Sequence, residues 1–240
     1  MIDFHTHILP NVDDGSSDLH ESVEMLKMLN EQNAEAVVLT PHYYRAEETV
    51  AEFLKRREYS LSNLRNSLGG RRIPRLFFGV EVAFFTEMSK DEAIQKLCID
   101  GTNTLLLEMP FTVWRAPVLN EVHQLLTCSG IKPVIAHIER YIGEPQNINA
   151  LEQLIGFGAV IQANAEFFLE RRTRRKAFSM LRNGLIHVFG SDCHNIEDRK
   201  PNMGELESLL RKKIPTEKFA ELQNHSRSLL PAHPRHCEER

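Results

Sequence analysis

Histidine and carboxylate residues occur as pairs, two residues apart, in two distant parts of the chain. His5 and His7 stand near the N-terminus, and Asp192 and His194 repeat the same spacing. In an extended strand, residues two apart point to the same side, so the members of each pair can bind one ion together. Imidazole and carboxylate ligands suit manganese, iron, zinc or cobalt better than copper(I) or an iron–sulfur cluster. The pairs therefore predict a site for divalent metal ions.

Five more residues of these types end a predicted strand, follow one closely or lie in the loop after the first strand. They are Asp14, His42, Glu81, Glu108 and His137. The C-terminal ends of parallel strands converge on one face of a sheet or barrel, so residues distant in sequence share one pocket there. Nine ligands are too many for one ion, whereas two or three ions that share a bridging carboxylate would use them all. Three divalent ions carry about +6, which four carboxylates reduce to about +2 and a bridging hydroxide to about +1, a charge that matches a phosphate dianion.

The elements that must position these residues alternate along the chain. Apolar runs predict seven strands, at Ile2–Thr6, Ala36–Thr40, Arg75–Glu81, Thr104–Glu108, Pro133–His137, Ala159–Ala163 and His187–Asp192. Helical periodicity predicts a helix that opens at Asp18, with Glu21 three residues later as in a capping box, and a helix that carries the stripe Leu54, Leu61, Leu64 and Leu68. Further helices are predicted at Lys90–Cys98, Ala116–Thr127, Asn147–Ile155, Arg171–Arg182, Asn202–Arg211 and Thr216–Leu229. Repeated strand–helix units predict one α/β domain, either an open doubly wound sheet or a closed barrel.

Composition excludes several classes of protein. The 240 residues are 42% hydrophobic and 26% charged, as in an ordinary soluble globular protein. The net charge of -4 provides no global basic field for nucleic acid, and no apolar run approaches the ~18 residues of a membrane-spanning helix. The four cysteines are scattered without disulfide or zinc spacing, which predicts a cytoplasmic protein.

Seven short motifs that contain the candidate ligands resemble, in order, those of a known superfamily. The motifs are His5-Thr6-His7, Val12-Asp13-Asp14-Gly15, Thr40-Pro41-His42, Gly79-Val80-Glu81, Leu107-Glu108-Met109-Pro110, Ala136-His137-Ile138-Glu139-Arg140-Tyr141 and Ser191-Asp192-Cys193-His194-Asn195. They resemble the PHP (polymerase and histidinol phosphatase) superfamily, and within it the tyrosine-protein phosphatases of bacterial capsule and exopolysaccharide operons. The resemblance extends from residue 2 to about residue 201. Ile138 and Cys193 depart from the usual proline and alanine of the family.

The resemblance implies a distorted TIM-like β/α barrel over residues 1–230, with three metal ions that are commonly Mn²⁺, although iron, zinc, cobalt or magnesium would also suit the ligands. By motif, the first ion would be held by His5, His7, Glu81 and Asp192, the second by Glu81, Glu108 and His137, and the third by Asp14, His42 and His194. Arg140 and Arg199 match arginines that bind phosphate in the family. A guanidinium fork can meet two phosphate oxygens at once, which makes this role physically reasonable.

The same resemblance implies hydrolysis of phosphotyrosine in a protein. The partner would be the C-terminal tail of a membrane-associated tyrosine kinase that regulates capsule or exopolysaccharide synthesis. Two alternatives stay open. One is a PHP phosphoesterase that acts on a small monoester such as histidinol phosphate, and the other is a non-catalytic metal-binding partner of a kinase.

Several residues have competing interpretations. Asp13 competes with Asp14 as a ligand, and the motif favours Asp14. Phe84, Phe85, Phe111 and Trp114 either line an aromatic-tolerant mouth or pack in the core. The basic run Arg171-Arg172-Thr173-Arg174-Arg175-Lys176 is either a solvated helix face or a surface that steers an acidic substrate.

Two cysteine-containing segments resemble functional motifs, but we interpret neither of them as part of a site. Cys193 and Arg199 satisfy the C-x5-R spacing of cysteine-dependent phosphatases, but the intervening segment contains no glycine and two adjacent carboxylates. Such carboxylates would repel a phosphate dianion and raise the pKa of the thiol, which argues against a cysteine mechanism. The last ten residues, 231–240, with His233, His236 and Cys237, are expected to form a frayed tail.

Overall fold

A computed structural model describes residues 1–232 of the chain, which contain nine short strands and eight α-helices. The strands are β1 (Ile2–Thr6), β2 (Ala36–Leu39), β3 (His42–Tyr43), β4 (Arg75–Phe78), β5 (Glu81–Ala83), β6 (Thr104–Glu108), β7 (Lys132–Ile135), β8 (Val160–Asn164) and β9 (Val188–Gly190). The helices are α1 (Leu19–Glu31), α2 (Val50–Leu68), α3 (Ala116–Thr127), α4 (Pro145–Phe157), α5 (Ala165–Leu169), α6 (Arg174–Arg182), α7 (Met203–Lys213) and α8 (Thr216–Ser228).

The strands form two parallel sheets that join into a barrel. Their orders are β1-β2-β4 and β3-β5-β6-β7-β8-β9. The chain runs from β2 into β3 and from β4 into β5, which joins the sheets on one side. On the other side, Asp192 N–H donates to the carbonyl of His5 at 2.8 Å, and His7 N–H donates to that of Cys193 at 2.9 Å. Counting β2–β3 and β4–β5 as interrupted strands, the predicted barrel of about seven parallel strands is confirmed.

The predicted continuous strand Arg75–Glu81 is wrong, because it is broken between β4 and β5. Gly79 N–H donates to the carbonyl of Leu39 at 2.9 Å, and Glu81 N–H donates to the carbonyl of Pro41 at 3.1 Å. Across the break, the segment from β4 to β5 therefore supplies the backbone donors. Pro41 has no N–H to return to the carbonyl of Gly79. The buried guanidinium of Arg57, on α2, donates to that carbonyl at 3.3 Å instead.

Helix boundaries agree with the predictions in most places and fail in two. The predicted helix Lys90–Cys98 is replaced by two 3-10 turns, Met88–Lys90 and Ile94–Leu97. Between them, the carboxylate of Asp91 accepts the backbone N–H of Ala93 at 2.9 Å, and such a local bond competes with helix formation. The predicted helix Arg171–Arg182 begins at Arg174, and the short α5 before it was not predicted.

Apolar side chains pack on both sides of the strands. Alternate residues, including Ile2, Val38, Leu106 and Val134, form one buried cluster, which Leu229 at the end of α8 joins. The intervening residues belong to a larger cluster that contains the inner faces of the helices. Strands covered on both faces explain the near-continuous apolar runs in the sequence.

No helix in residues 1–232 combines the length and the apolar character that crossing a membrane requires. The predicted tail is described only at Pro231 and Ala232. His233, His236 and Cys237, which belong to the predicted tail, lie outside the described residues.

Candidate active site

The nine predicted ligands meet at the C-terminal ends of the strands. Their ligand atoms form three overlapping groups, each within 4.8 Å: His5, His7 and Glu81; His42, Glu81 and Glu108; and His7, Asp14, His42 and His194. The remaining two predicted ligands adjoin these groups, with Asp192 Oδ1 3.5 Å from His5 Nε2 and His137 Nε2 2.8 Å from Glu81 Oε1. Eight of the nine side chains are buried or half-buried, and Asp14 is exposed.

Glu81 lies at the centre of the cluster, and its two oxygens face different histidines. Oε2 lies 2.8 Å from His5 Nε2 and 3.2 Å from His7 Nε2. Oε1 lies 2.8 Å from His137 Nε2, which is also 3.4 Å from Glu108 Oε1. A carboxylate with imidazole nitrogens close to both oxygens is suited to ligate cations through each oxygen.

The third group surrounds Asp14. Its Oδ1 lies 3.4 Å from His194 Nε2 and 3.7 Å from His42 Nε2. Among the described residues, His194 Nε2 is buried without any hydrogen-bond partner. A buried ring nitrogen that faces a carboxylate but is not bonded to it fits a ligand to a cation between them.

The hydrogen bonds of the histidines decide which nitrogen is available. Nδ1 of His7 donates to Asp13 Oδ2 at 2.7 Å, Nδ1 of His5 faces the amide oxygen of Gln162 at 3.3 Å, and Nδ1 of His194 faces the carbonyl of Asp192 at 2.9 Å. Each Nε2 therefore presents a lone pair to the cluster. Nε2 of His5 and Nε2 of His7 are only 3.0 Å apart, a separation at which either a proton or a cation is held between the two nitrogens. The donor set thus fits divalent metal ions.

Three further residues support the cluster; Gln162 and Asn164 escaped the sequence analysis, and Asp13 was considered there only as an alternative ligand. Asp13 orients His7, Gln162 accepts from the backbone N–H of His137 at 2.6 Å, and Asn164 donates to Asp192 Oδ2 at 3.0 Å. Gln162 and Asn164 are two apart at the end of β8, the one predicted strand without a metal-ligand residue. Buried amides at that position were the signal that could have revealed them.

Charges within the cluster shift the pKa values of its members. Burial opposes ionisation of Glu81, but His5 and His137 hold the pKa of Glu81 well below its usual range. Burial also opposes protonation of His137, but hydrogen bonds with Glu108 and Glu81 raise the pKa of His137 to about 9. The carboxylate is therefore ionised at neutral pH, while protons on the histidines compete with cations.

Two candidate ligands have left-handed backbone conformations. The φ angle is 30° at His137 and 54° at Asp192, values that residues with a side chain seldom adopt. Extended backbone therefore does not explain why Asp192 and His194 face the same cluster, and that part of the sequence argument is wrong. Their side chains still meet, with Asp192 Oδ1 3.7 Å from His194 Nδ1. Such strain is typical of functional sites.

The two predicted phosphate-binding arginines reach the cluster from the solvent side. Arg140 donates to Asp192 Oδ2 at 2.6 Å, and Arg199 lies 2.9 Å from the same oxygen. Their side chains are 38% and 40% exposed, so part of each guanidinium faces an adjoining cavity of about 480 Å³. Buried candidate ligands next to partly exposed arginines form a site that is open to an anionic ligand.

Known proteins resemble this chain along most of its length. The family model for capsular polysaccharide synthesis proteins of the CpsB/CapC type matches residues 1–229. The chain belongs to this family. A relative, the tyrosine-protein phosphatase YwqE of Bacillus subtilis, is 32% identical over 229 residues, which cover 90% of this chain and 86% of YwqE. The predicted family membership is confirmed.

Solved structures agree with this assignment. One structure, from work on YwqE from Bacillus subtilis and CpsB from Streptococcus pneumoniae, described as unique metal-dependent tyrosine phosphatases, matches with a TM-score of 0.84. It is 27% identical and covers 97% of this chain and 95% of that chain. A candidate histidinol phosphatase of Listeria monocytogenes matches with a TM-score of 0.53 at 12% identity, covering 82% of this chain and 96% of that chain, and shares the fold alone.

Cys193 of this CpsB/CapC-family chain lies inside the barrel wall. The side chain is fully buried, and burial together with nearby Asp3 raises the pKa of the thiol well above its usual range. A nucleophilic cysteine needs an accessible thiolate. The C-x5-R spacing with Arg199 is therefore a coincidence.

The aromatic residues after β5 and β6 divide between the core and the mouth of the site. Trp114 is buried against Tyr141, with ring centroids 5.1 Å apart, so of its two interpretations core packing is the one that applies. Phe84 and Phe85 are half-buried and pack against the core. Phe111 is 61% exposed and stacks on His137.

The basic run at residues 171–176 is partly engaged in structure. Arg174 donates to the carbonyl of Phe168 at 2.9 Å, and Lys176 donates to that of Ile142 at 3.1 Å. Arg171, Arg172 and Arg175 are exposed. Steering of an acidic substrate by these three arginines stays a prediction.

Proposed function

We propose that this protein is a metal-dependent protein-tyrosine phosphatase that hydrolyses phosphotyrosine to tyrosine and inorganic phosphate. The main support for this activity is the orientation of His5, His7 and His194. Their Nδ1 atoms face oxygen acceptors, and their Nε2 atoms converge on carboxylates. The names of the relatives, which are tyrosine-protein phosphatases, support the same activity.

The site is proposed to hold three divalent ions, with Mn²⁺ as the native metal. His5, His7, Glu81 and Asp192 would hold the first ion, Glu81, Glu108 and His137 the second, and Asp14, His42 and His194 the third. The proximity of the donor atoms in each group supports this division. Such ions supply positive charge for the phosphoryl oxygens and lower the pKa of bound water when present.

The arginines bind and orient the phosphate. Arg140 and Arg199 each contact Asp192 Oδ2 through one terminal nitrogen, which leaves their other N–H groups for the oxygens of a phosphate. Because Asp192 already anchors both guanidinium groups, Arg140 and Arg199 lose little conformational freedom when they bind a phosphate. Preorganised donors of this kind stabilise the charge that spreads over the transferred phosphoryl group.

The protein substrate is proposed to be the phosphotyrosine-bearing C-terminal tail of a membrane-associated tyrosine kinase that regulates capsule or exopolysaccharide synthesis. The family's description as capsular polysaccharide synthesis proteins supports this context. Action in the cytoplasm is part of the proposal. Within residues 1–232 the three cysteines, Cys98, Cys128 and Cys193, are all free, as expected in a reducing compartment.

The test compares two substrates on the purified protein, loaded with Mn²⁺ or treated with EDTA, with metal content measured in parallel. We expect turnover of a phosphotyrosine peptide that EDTA abolishes and Mn²⁺ restores, with about three ions per chain. Preference for histidinol phosphate would contradict the proposal in favour of a small-monoester phosphoesterase. Bound metal without turnover of either substrate would instead favour the non-catalytic binding partner.

A further inference from the structure

Two exposed aromatic side chains stack on candidate metal ligands. The ring of Tyr44 lies 5.3 Å from that of His42, with an angle of 25° between the planes. The ring of Phe111 lies 6.2 Å from that of His137, with an angle of 15°. Tyr44 is 37% exposed and Phe111 is 61% exposed. Both rings therefore offer aromatic surface to solvent directly beside the candidate ligands.

The two rings are connected through one carboxylate. His42 Nδ1 lies 3.2 Å from Glu81 Oε2, and His137 Nε2 lies 2.8 Å from Glu81 Oε1. Tyr44 and Phe111 therefore stack on histidines that approach different oxygens of the central ligand. The two rings therefore lie beside the centre at which a phosphate would bind.

Phe111 is held at the rim by the residues beneath it. Its ring lies 5.3 Å from that of Tyr141, which packs on buried Trp114. The hydroxyl of Tyr141 accepts the N–H of Met109 at 3.0 Å, and Trp114 Nε1 donates to Pro110 at 3.0 Å. These bonds fix the loop on both sides of Phe111, so the ring has a defined position without being part of the core.

We propose that Tyr44 and Phe111 form an aryl-binding rim, which contacts the phenyl ring of phosphotyrosine while its phosphate lies at the cluster around Glu81. The inference rests on the proposed function and adds the residues that select an aryl ester over an alkyl ester. Stacked and edge-to-face aromatic contacts provide this selectivity, because an alkyl group has no ring face to offer. Neither residue takes part in proton transfer in this role.

The test measures binding of non-hydrolysable phosphonates to the Mn²⁺-loaded protein by calorimetry. Phenylphosphonate and methylphosphonate differ only in the ring, and inorganic phosphate reports on the metals and arginines alone. In the unaltered protein we expect phenylphosphonate to bind more tightly than methylphosphonate. Phe111→Leu and Tyr44→Leu should each reduce this preference about threefold to tenfold, with the affinity for inorganic phosphate unchanged within about twofold.

Two further variants separate the ring from other effects. Tyr44→Phe keeps the ring and removes the hydroxyl, so it should retain the preference for phenylphosphonate. Tyr59→Ala removes an aromatic ring that is 73% exposed on α2, and it should behave like the unaltered protein. The inference is overturned if the double variant Tyr44→Leu/Phe111→Leu keeps the full preference, or if the variants weaken all three ligands equally.

The experiments distinguish a failure of the proposed phosphatase activity from a failure of the aryl-binding rim. An unaltered protein that hydrolyses phosphotyrosine peptide but binds the two phosphonates equally would leave the phosphatase standing and remove the rim. The opposite result is also possible. If the unaltered protein prefers phenylphosphonate, the Tyr44 and Phe111 variants lose this preference, and no phosphotyrosine is hydrolysed, the rim is supported as a binding site and the phosphatase activity is contradicted.

Discussion

Asp13 accepts a hydrogen bond from Nδ1 of His7 at 2.7 Å, although its neighbour Asp14 is the residue that faces the other candidate ligands. The same carboxylate accepts the backbone N–H of His42 at 2.9 Å and that of Gly15 at 3.0 Å. One side chain therefore fixes the imidazole of His7 and the backbone of His42, which belong to different parts of the cluster. Its burial is the mark of a supporting residue rather than an exposed turn residue.

Removing this support should weaken metal binding without unfolding the protein. For Asp13→Ala we expect Mn²⁺ affinity to fall about 10- to 100-fold, because His7 loses the acceptor that fixes its tautomer. Metal titration by calorimetry measures the effect. Asp18→Ala is the matched control, because Asp18 caps α1 and should affect stability by about 1 kcal/mol but not metal affinity. Equal metal affinity in the Asp13 variant and the unaltered protein would count against this role.

The two arginines should contribute to turnover and not to metal content. We expect Arg140→Ala or Arg199→Ala to lower kcat/KM for a phosphotyrosine peptide about 10- to 100-fold, because charge-assisted hydrogen bonds to the phosphate are lost. Metal analysis of the same samples should show full occupancy. Arg211→Ala serves as the control, since Arg211 pairs with Glu207 on the surface of α7. Loss of metal in parallel with activity would assign the arginines a structural role.

Cys193→Ser should retain most of the activity, because the buried thiol lies within the barrel wall and does not reach substrate. EDTA should abolish turnover in this variant as it does in the unaltered protein. The measurement is the rate of phosphate release with and without added Mn²⁺. A variant with intact metal content and no turnover would restore the cysteine mechanism.

Gly190 is required because its Cα lies against the first metal-ligand strand. A Cβ at this position would lie 2.5 Å from the Cβ of His5 and 2.9 Å from the amide nitrogen of Gln162. We expect Gly190→Ala to lower the free energy of unfolding by about 1 to 3 kcal/mol in urea denaturation. Gly156→Ala, on α4, is the control, since a Cβ there meets no other atom within 4 Å and should be neutral or slightly stabilising. Equal stability of the two variants would contradict this argument.

His187 should make the metal-free protein less stable in acid. Burial, with nearby His225 and Lys218, lowers the pKa of His187 from 6.5 to about 4, and its Nδ1 accepts the N–H of Ile161 at 3.0 Å. The folded state binds fewer protons between these values, so this contribution to stability is complete above pH 6.5 and decreases as pH falls towards 4.

A variant isolates this contribution from the other groups that titrate in acid. His187→Asn keeps an acceptor for Ile161 without a titrating ring, and it should lose about 2 to 3 kcal/mol less than the unaltered protein between pH 7 and pH 4. Urea denaturation at several pH values measures the difference. His20→Asn, at an exposed position of α1, should follow the unaltered protein. Parallel pH profiles for the His187 variant and the unaltered protein would refute the assignment.

The sequence by itself determined the alternation of strands and helices and the ligand-type residues at the strand ends, whereas its patterns fitted both an open sheet and a closed barrel and only the family resemblance implied the barrel. Parallel strands have their C-terminal ends on one face, so ligand-type residues at six strand ends had to converge wherever the chain closed. His5 near the end of β1 and Glu108 at the end of β6 show this most directly. Local patterns also predicted α3, which runs from Ala116 to Thr127 as expected.

Only the tertiary structure decided the features that depend on contacts between distant segments. Gln162 orients His5 from 157 residues away, and Arg57 supplies the hydrogen bond that Pro41 cannot. The left-handed backbone of Asp192 likewise could not be predicted from the sequence near this residue. Tyr44 and Phe111 face the site only because the strands before them end beside the same carboxylate. Sequence spacing reports which residues can reach a common face, whereas hydrogen bonds and packing across that face decide what each residue does there.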